Sequence, residues 1–226
     1  MSKLRIGTLT IGQAPRPDLV KSLKARLPHA EIIEVGALDG LTASDLPSAE
    51  SFRPDDYLLT TRLVNGELVT VPEAYLIPKM AEGLKRLEKS GVKAIYLLCA
   101  GTFAELKSDV PLLKPFVLAH ELLSSMGLKK IGIIAPIPEQ ERPIRERWEG
   151  EGFDTTVWSA DVSSISGPLI DDIQSRQQQN RFQALVLDYV GHPAEVSQKL
   201  QLSLDIPVLD FGEIAVATLI SICELG

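Results

Sequence analysis

Residues 92–102 of this chain are Val-Lys-Ala-Ile-Tyr-Leu-Leu-Cys-Ala-Gly-Thr. The apolar run at 94–98 is typical of a buried strand, and the small residues after Cys99 are typical of a turn. Residues 182–192, Phe-Gln-Ala-Leu-Val-Leu-Asp-Tyr-Val-Gly-His, repeat this order of apolar strand and glycine-containing turn. The weak internal repeat predicts that the chain consists of two similar halves.

The beginnings of the two halves correspond as well. Residues 5–13 and 130–140 each contain a strand-like segment that ends in a turn, with Ala-Pro-Arg-Pro in the first half and Ala-Pro-Ile-Pro in the second. We therefore expect a first lobe over residues 1–125 and a second lobe over residues 126–226. The C-terminal helix, predicted at 213–224, is an element that can pack back on the first lobe.

Strand-like and helical patterns alternate along most of the chain. Short β-rich runs occupy residues 4–11, 31–35, 94–98, 130–135, 155–158, 184–188 and 207–210. Apolar residues at helical spacing occupy residues 17–27, 74–89, 112–126, 139–149, 170–181, 193–202 and 213–223. This alternation predicts an α/β protein with two pseudo-symmetric Rossmann-like lobes and mostly parallel sheets.

One segment departs from the alternation. Residues 57–63 and 67–71 are strand-like and flank Asn65-Gly66, a pair that favours the positive φ angles of a tight turn. We expect a β-hairpin inserted in the first lobe.

Composition excludes several classes of protein. The 226 residues are 45% hydrophobic and 23% charged, which is typical of a globular protein. The net charge of −7 and the pI near 5.1 disfavour nucleic-acid binding. No apolar run is long enough for a membrane helix and no signal peptide is apparent, so we expect a cytoplasmic protein with no membrane partner.

Cys99 is the strongest candidate for chemistry, because it ends a buried strand and begins a turn of small residues. The N–H groups of Gly101 and Thr102 can hold a carboxylate or an oxyanion, and such a setting can activate a thiol for proton transfer or nucleophilic attack. The alternative is a buried cysteine that only packs. We assign that structural role to Cys223, within an apolar helix.

The corresponding turn of the second half holds Asp188, Tyr189, Gly191 and His192. Tyr189 can exchange a proton, and His192 can bind an anion or act as an acid or base. Asp188 is expected to cap or orient the turn. The alternative is that Tyr189 packs its ring and His192 begins a helix.

Two residues after the first strand are further candidates. Arg16, between two prolines, can bind a substrate carboxylate with two hydrogen bonds, and Gln13 can hold an anionic oxygen beside it. A salt bridge from Arg16 to a neighbouring carboxylate is the alternative, and Arg62 is a weaker candidate of the same kind. The three histidines are too scattered for metal-ligand spacing, and no glycine pattern fits a nucleotide, so we expect neither metal nor cofactor.

The sequence resembles a known family at two motifs. Two segments resemble motifs of the AroM family: residues 9–18, Leu-Thr-Ile-Gly-Gln-Ala-Pro-Arg-Pro-Asp, and residues 187–192. The resemblance in length and in the order of the motifs covers essentially the whole chain. That family is similar to the aspartate/glutamate/hydantoin racemase superfamily, whose members place one cysteine at the end of a central strand in each lobe. The resemblance implies that Cys99 lies at the first cysteine position and that a homodimer or larger oligomer forms.

Tyr189 stands where the second racemase cysteine would fall. A racemase with two bases needs one acid-base group on each face of the α-carbon, and a phenol with its ordinary pKa of about 10 is a poor base at neutral pH. Superfamily members with one working cysteine suggest decarboxylation or a related proton transfer. We therefore expect an isomerase or decarboxylase for a small anionic or amino-acid-like substrate, with a non-catalytic protein that binds or senses a small acid as the alternative.

Overall fold

A computed structural model describes residues 3–161 and 165–224. The chain forms two compact units. The first runs to Lys114 and includes the residues from Thr218 onward, and the second runs from Pro115 to Ala217. Each unit contains its own four-stranded parallel sheet, so the predicted α/β class with two lobes is confirmed.

The sheet of the first unit has the strand order β2-β1-β5-β6. Its helices and strands are β1 (Arg5–Thr10), α1 (Pro17–Arg26), β2 (Glu31–Gly36), β3 (Leu58–Arg62), β4 (Leu68–Pro72), α2 (Glu73–Lys89), β5 (Ala94–Leu97) and β6 (Leu112–Leu113). Short 3-10 helices lie at Ala43–Asp45 and Ala49–Ser51. Helix α2 packs closely on the sheet, because Gly83 has no side chain and a Cβ there would lie 2.8 Å from Leu9.

Strands β3 and β4 form the predicted hairpin as a separate antiparallel sheet. The N–H group of Leu63 donates to the carbonyl of Glu67, and Gly66 has a φ of 90° in the turn between them. Gly66 thus has the left-handed conformation that the Asn-Gly pair predicted, because glycine adopts it without steric cost, whereas the φ of Asn65 is not positive.

The second unit repeats the strand order of the first, as β8-β7-β9-β10. Its elements are α3 (Pro115–Ser125), β7 (Lys130–Ala135), α4 (Glu141–Gly150), β8 (Asp154–Ser159), α5 (Gly167–Asn180), β9 (Ala184–Leu187), α6 (Ala194–Ser203), β10 (Val208–Asp210) and α7 (Phe211–Glu224), with a 3-10 turn at Pro138–Gln140. Helix α7 continues past Ala217 into the first unit. Strands β5 and β9, the segments of the sequence repeat, hold the same position in their sheets.

One predicted helix begins later than expected. The pattern indicated a helix over residues 112–126, but Leu112–Leu113 is strand β6, paired in parallel with β5, and α3 begins at Pro115. Proline suits the first turn of a helix, where its missing N–H group is not needed. The periodicity of two apolar residues alone could not separate a short strand from the helix that follows it.

Helix α3 lies in the second compact unit, whereas the sequence repeat assigned residues 115–125 to the first lobe. Phe116 explains its place: the ring lies 4.8 Å from the Trp148 ring and 6.4 Å from the Phe211 ring, centroid to centroid. These aromatic contacts bury apolar area with partners that only the second unit provides. In the described part of the chain, no helix combines the length and hydrophobicity needed to cross a bilayer.

Candidate functional site

The carboxyl edge of the first sheet gathers the candidates of the first half. Strands β1 and β5 are parallel neighbours, so the loops that follow them leave the sheet at the same edge. One loop carries Gln13 and Arg16, and the other carries Cys99, Gly101 and Thr102. Ligands of open parallel sheets bind at such an edge, because loops and backbone N–H groups converge there.

Cys99 is a half-buried cysteine that forms no disulfide and follows β5 by two residues. Its side chain packs against the apolar core of the first unit. The thiol is therefore anchored on one side and partly open on the other. Cys223 differs, because it is buried in α7 and its burial raises the pKa of its thiol. This environment suits the structural role predicted for Cys223.

The turn after Cys99 is shaped by Phe103. Its ring is fully buried, its φ is 41°, and a Cβ at Gly101 would lie 2.5 Å from the ring. The glycine therefore lets the turn close over the aromatic ring. No acceptor in residues 3–161 or 165–224 takes the N–H group of Gly101 or Thr102. These two donors are available to an anionic oxygen.

Gln13 holds three segments of the first unit together. Its Nε2 donates to the carbonyls of Leu38 and Leu41 at 2.8 and 2.7 Å, and its Oε1 accepts from the N–H of Val64 at 2.7 Å. The residue is 6% exposed. Both amide protons are used in the fold, so a contact from Gln13 to a ligand would have to be made by its oxygen or replace one of these bonds.

Arg16 forms the salt bridge that was the alternative to ligand binding. Its Nε and Nη2 donate to the two carboxylate oxygens of Asp18 at 3.0 and 2.7 Å. The guanidinium holds the pKa of Asp18 below its usual value, and Arg62 adds to this effect. The backbone N–H of Arg16 donates to Glu34 at 2.8 Å. Arg16 thus lies at the predicted edge, and two N–H groups of its guanidinium donate to a carboxylate of the protein.

Lys114 is a residue of this edge that the sequence did not single out. It follows β6, and the register pairs Tyr96 with Leu113, so Lys114 lies level with the end of β5. Its Nζ donates to the carbonyl of Phe103 at 2.5 Å. Burial lowers the pKa of Lys114, and Glu105 partly opposes the shift. The sequence signal was hidden because Lys114 fell inside a predicted helix.

An open cavity of about 520 Å³ lies beside the same loops. Its lining comes from the loop after β2, the hairpin turn and Gln13, through Gly40, Leu41, Thr42, Ala43, Ser44, Leu63, Val64, Asn65 and Glu67. The three hydrogen bonds of Gln13 join two of these walls. None of the other predicted site residues lines this cavity.

In the second unit, Asp188 follows β9 and is 2% exposed. Its Oδ2 accepts from Nη2 of Arg147 at 2.5 Å and from Nε1 of Trp148 at 2.6 Å, both on α4. Its Oδ1 accepts no hydrogen bond from the described residues. Asp188 thus ties the start of the turn to helix α4. Removing one partner of such a buried pair typically costs about 3–5 kcal/mol.

Tyr189, Gly191 and His192 lie together in the turn that Asp188 begins. The rings of Tyr189 and His192 meet edge to face with centroids 5.6 Å apart. Gly191 has a φ of 109°, which favours glycine over residues with a Cβ. Helix α6 begins at Ala194, two residues after His192. The structure therefore brings the four predicted residues of this turn together in the second unit.

Asp210 is a second residue that the sequence did not single out. It is buried at the end of β10, accepts from Ser197 Oγ at 2.6 Å, and accepts from the N–H groups of Gly212 and Glu213 at 2.8 and 3.1 Å. Burial raises its pKa, while these bonds and the charge of His192 oppose the shift. The signal was present, because Asp210 and Glu213 have the spacing of a helix capping box.

No cluster of three metal-ligating side chains occurs among residues 3–161 and 165–224. The turn of the first unit offers a thiol, backbone donors and a cation, and the turn of the second unit offers a phenol and an imidazole. Groups of either kind can bind a small anion and move a proton.

A sequence profile for a protein family, described as AroM protein, matches residues 6–222 of this chain. No curated protein sequence matches it. The profile match spans both units and both candidate turns.

Solved structures share the fold at low identity. An arylmalonate decarboxylase has a TM-score of 0.63 and 15% identity, covering 98% of this chain and 93% of its own. An aspartate racemase homologue from Pyrococcus horikoshii OT3 has a TM-score of 0.65 and 12% identity, with coverage of 97% and 99%. The maleate isomerase Iso from Pseudomonas putida S16 has a TM-score of 0.62 and 10% identity, with coverage of 96% and 92%.

Proposed function

Because this chain belongs to the AroM family and has the fold of the racemase-like superfamily, we propose that it is an enzyme of proton transfer at a carbon α to a carboxylate. The observation that carries the proposal is the half-buried thiol of Cys99 at the carboxyl end of β5. The substrate is a small acid, and the reaction is an isomerisation or a decarboxylation.

Cys99 is the acid-base group in this proposal. In an isomerisation, the thiolate removes the proton from one face of the α-carbon, the electron pair moves onto the carboxylate as an enolate, and a second acid-base group returns a proton to the opposite face. In a decarboxylation, carbon dioxide leaves first and the thiol protonates the enolate that remains. The N–H groups of Gly101 and Thr102 stabilise the negative oxygen that develops in both cases.

Tyr189 is the second acid-base candidate in the proposal, with His192 and Gly191 beside it. The edge-to-face contact of Tyr189 with His192 supports a shared role, because an imidazole next to a phenol can exchange a proton with it or orient it. Asp188 holds the start of the turn in place through its hydrogen bonds from Arg147 and Trp148.

Exchange of α-hydrogen with deuterated solvent tests the proposal. Amino acids, substituted malonates and hydantoins are incubated with the protein in D₂O, and the products are followed by NMR and mass spectrometry. We expect incorporation or decarboxylation with at least one class, and a loss of about 100-fold or more in Cys99→Ala, because one acid-base group contributes about 10²–10⁴-fold.

Cys223→Ala is the matched control, since it removes the other thiol of the chain and leaves the turn after β5 intact. Activity that persists unchanged in Cys99→Ala would contradict the role of this thiol.

A non-catalytic protein that binds a small acid is the second candidate. It is favoured by Tyr189, which stands where a second cysteine would serve a racemase, and by the salt bridge of Arg16 with Asp18. This candidate predicts a rise in melting temperature with small acids but no exchange of deuterium with any of them.

A further inference from the structure

Lys114 is the cation that the structure brings next to the turn of Cys99. The parallel register of β5 and β6 places it level with the end of β5, two residues before Cys99. Its Nζ reaches over the turn to the carbonyl of Phe103 at 2.5 Å. Two independent features, the sheet register and the hydrogen bond to Phe103, therefore hold the ammonium at the turn that Cys99 begins.

The ammonium group has donors to spare. It carries three protons, of which the carbonyl of Phe103 accepts one. In the described part of the chain, no second acceptor lies within hydrogen-bond distance of Nζ. Lys114 is half-buried, and burial lowers its pKa. A cation that has lost part of its hydration gains from an anion that takes over the missing contacts.

Arg16, which the sequence predicted as a cation of this edge, has a different partner. Both Nε and Nη2 of Arg16 donate to Asp18, so its charge is largely balanced by a carboxylate of the protein. Lys114 donates instead to a neutral carbonyl, and Glu105 acts on its charge without a hydrogen bond.

We propose that Lys114 determines the specificity of the Cys99 site for anions, by binding a carboxylate of a small acid whose α-carbon lies at the Cys99 sulfur. The inference rests on the proposed function, because it assigns the substrate carboxylate within the same site. It adds the residue that binds the carboxylate attached to the reacting α-carbon.

Alkylation of Cys99 by a charged and a neutral reagent tests this assignment. Iodoacetate and iodoacetamide react in the same way: the thiolate attacks the α-carbon, a carbon–sulfur bond forms and iodide leaves. They differ in one carboxylate. The ratio of their rates at Cys99, followed by mass spectrometry of the peptide, cancels the fraction of ionised thiol and reports the preference for the carboxylate.

Three substitutions of Lys114 separate charge from packing. Lys114→Gln keeps N–H donors without the charge, Lys114→Met removes both, and Lys114→Arg keeps the charge. We expect the iodoacetate-to-iodoacetamide ratio to fall about tenfold in the Gln and Met variants and to be largely kept in Arg, in line with the attraction of two close charges at a protein surface. Lys107→Gln, at an exposed lysine of the same segment, is the control and should leave the ratio unchanged.

The salt dependence of the ratio in the wild-type protein tests the proposal even if a Lys114 variant does not fold. Salt raises the ratio for a small free thiol, because it screens the repulsion between thiolate and iodoacetate. At Cys99 we expect salt to lower the ratio, because it screens the attraction by Lys114. A ratio that rises with salt, or that is the same in Lys114→Gln and wild type, would overturn the proposal, as would an equal effect of Lys107→Gln.

The outcome is independent of turnover. A catalytically silent protein can still show the carboxylate preference, and a protein that exchanges deuterium can fail to show it. Failure of this inference and failure of the proposed function are therefore distinguished by different measurements.

Discussion

Asp210 shows how much one buried carboxyl can depend on its surroundings. It accepts three hydrogen bonds, two from the start of α7 and one from Ser197, yet burial still raises its pKa above the ordinary value of 3.8. The folded chain therefore holds this proton at pH values at which the unfolded chain has released it. The stabilisation from the bound proton is complete below about 3.8 and is lost as the pH rises through the folded pKa.

Asp210→Asn should change the dependence of stability on pH. Asparagine cannot lose a proton, and its oxygen can still accept from the N–H groups at the start of α7. We expect the free energy of unfolding of the variant to rise relative to wild type as the pH increases from 4 to 7, measured by urea denaturation. Asp205→Asn, at an exposed position, controls for the loss of one negative charge, and parallel curves for wild type and Asp210→Asn would contradict the raised pKa.

At the scale of elements, the hairpin of β3 and β4 is attached to the first sheet through the loop after β1. The side chain of Gln13 bonds to Val64 in the hairpin turn and to Leu38 and Leu41 after β2. A Cβ at Gly12 would lie 2.5 Å from the carbonyl of Arg62, so the two backbones are in close contact. The loop of the predicted site is therefore also the joint that holds the hairpin.

Gln13→Ala should loosen that joint. One buried and two partly buried hydrogen bonds are lost and their backbone partners are left unsatisfied, which we expect to cost about 2–4 kcal/mol in unfolding free energy. Hydrogen exchange should accelerate in residues 58–72 more than in the central strands. The unfolding free energy of the control Gln178→Ala, at an exposed position on α5, should stay within about 0.5 kcal/mol of wild type. Unchanged rates of hydrogen exchange in the hairpin of Gln13→Ala would contradict the role of Gln13 in holding the hairpin.

At the scale of the whole molecule, charge sets which partners the protein can attract. The net charge is −7 at pH 7, from 30 acidic and 23 basic residues. A field of this sign repels polyanions over the Debye length, while a local cation can still bind a small acid. Lys114 and the net charge are thus compatible, because they act over different distances.

We expect the protein to pass through a heparin column at low salt and to bind an anion exchanger at the same pH. The anion exchanger is the positive control for correct charge and folding. Retention on heparin that needs added salt for elution would contradict the absence of a nucleic-acid partner, which was predicted from composition alone.

The sequence by itself determined the α/β class, the two halves, the hairpin and the family. These features rest on local patterns: apolar runs, helical spacing, the Asn-Gly turn and a repeat of strand and turn around Cys99 and Tyr189. Such signals survive in a single chain because neighbouring residues encode them directly.

Only the tertiary structure decided what the polar side chains do. Gln13 bonds to residues 25, 28 and 51 positions away, Arg147 reaches Asp188 across 41 positions, and Lys114 bonds to Phe103, in the turn after Cys99, because β6 pairs with β5. The physical reason is that hydrogen bonds and ion pairs act between groups within a few ångströms in space, and separation along the chain does not predict which groups those are.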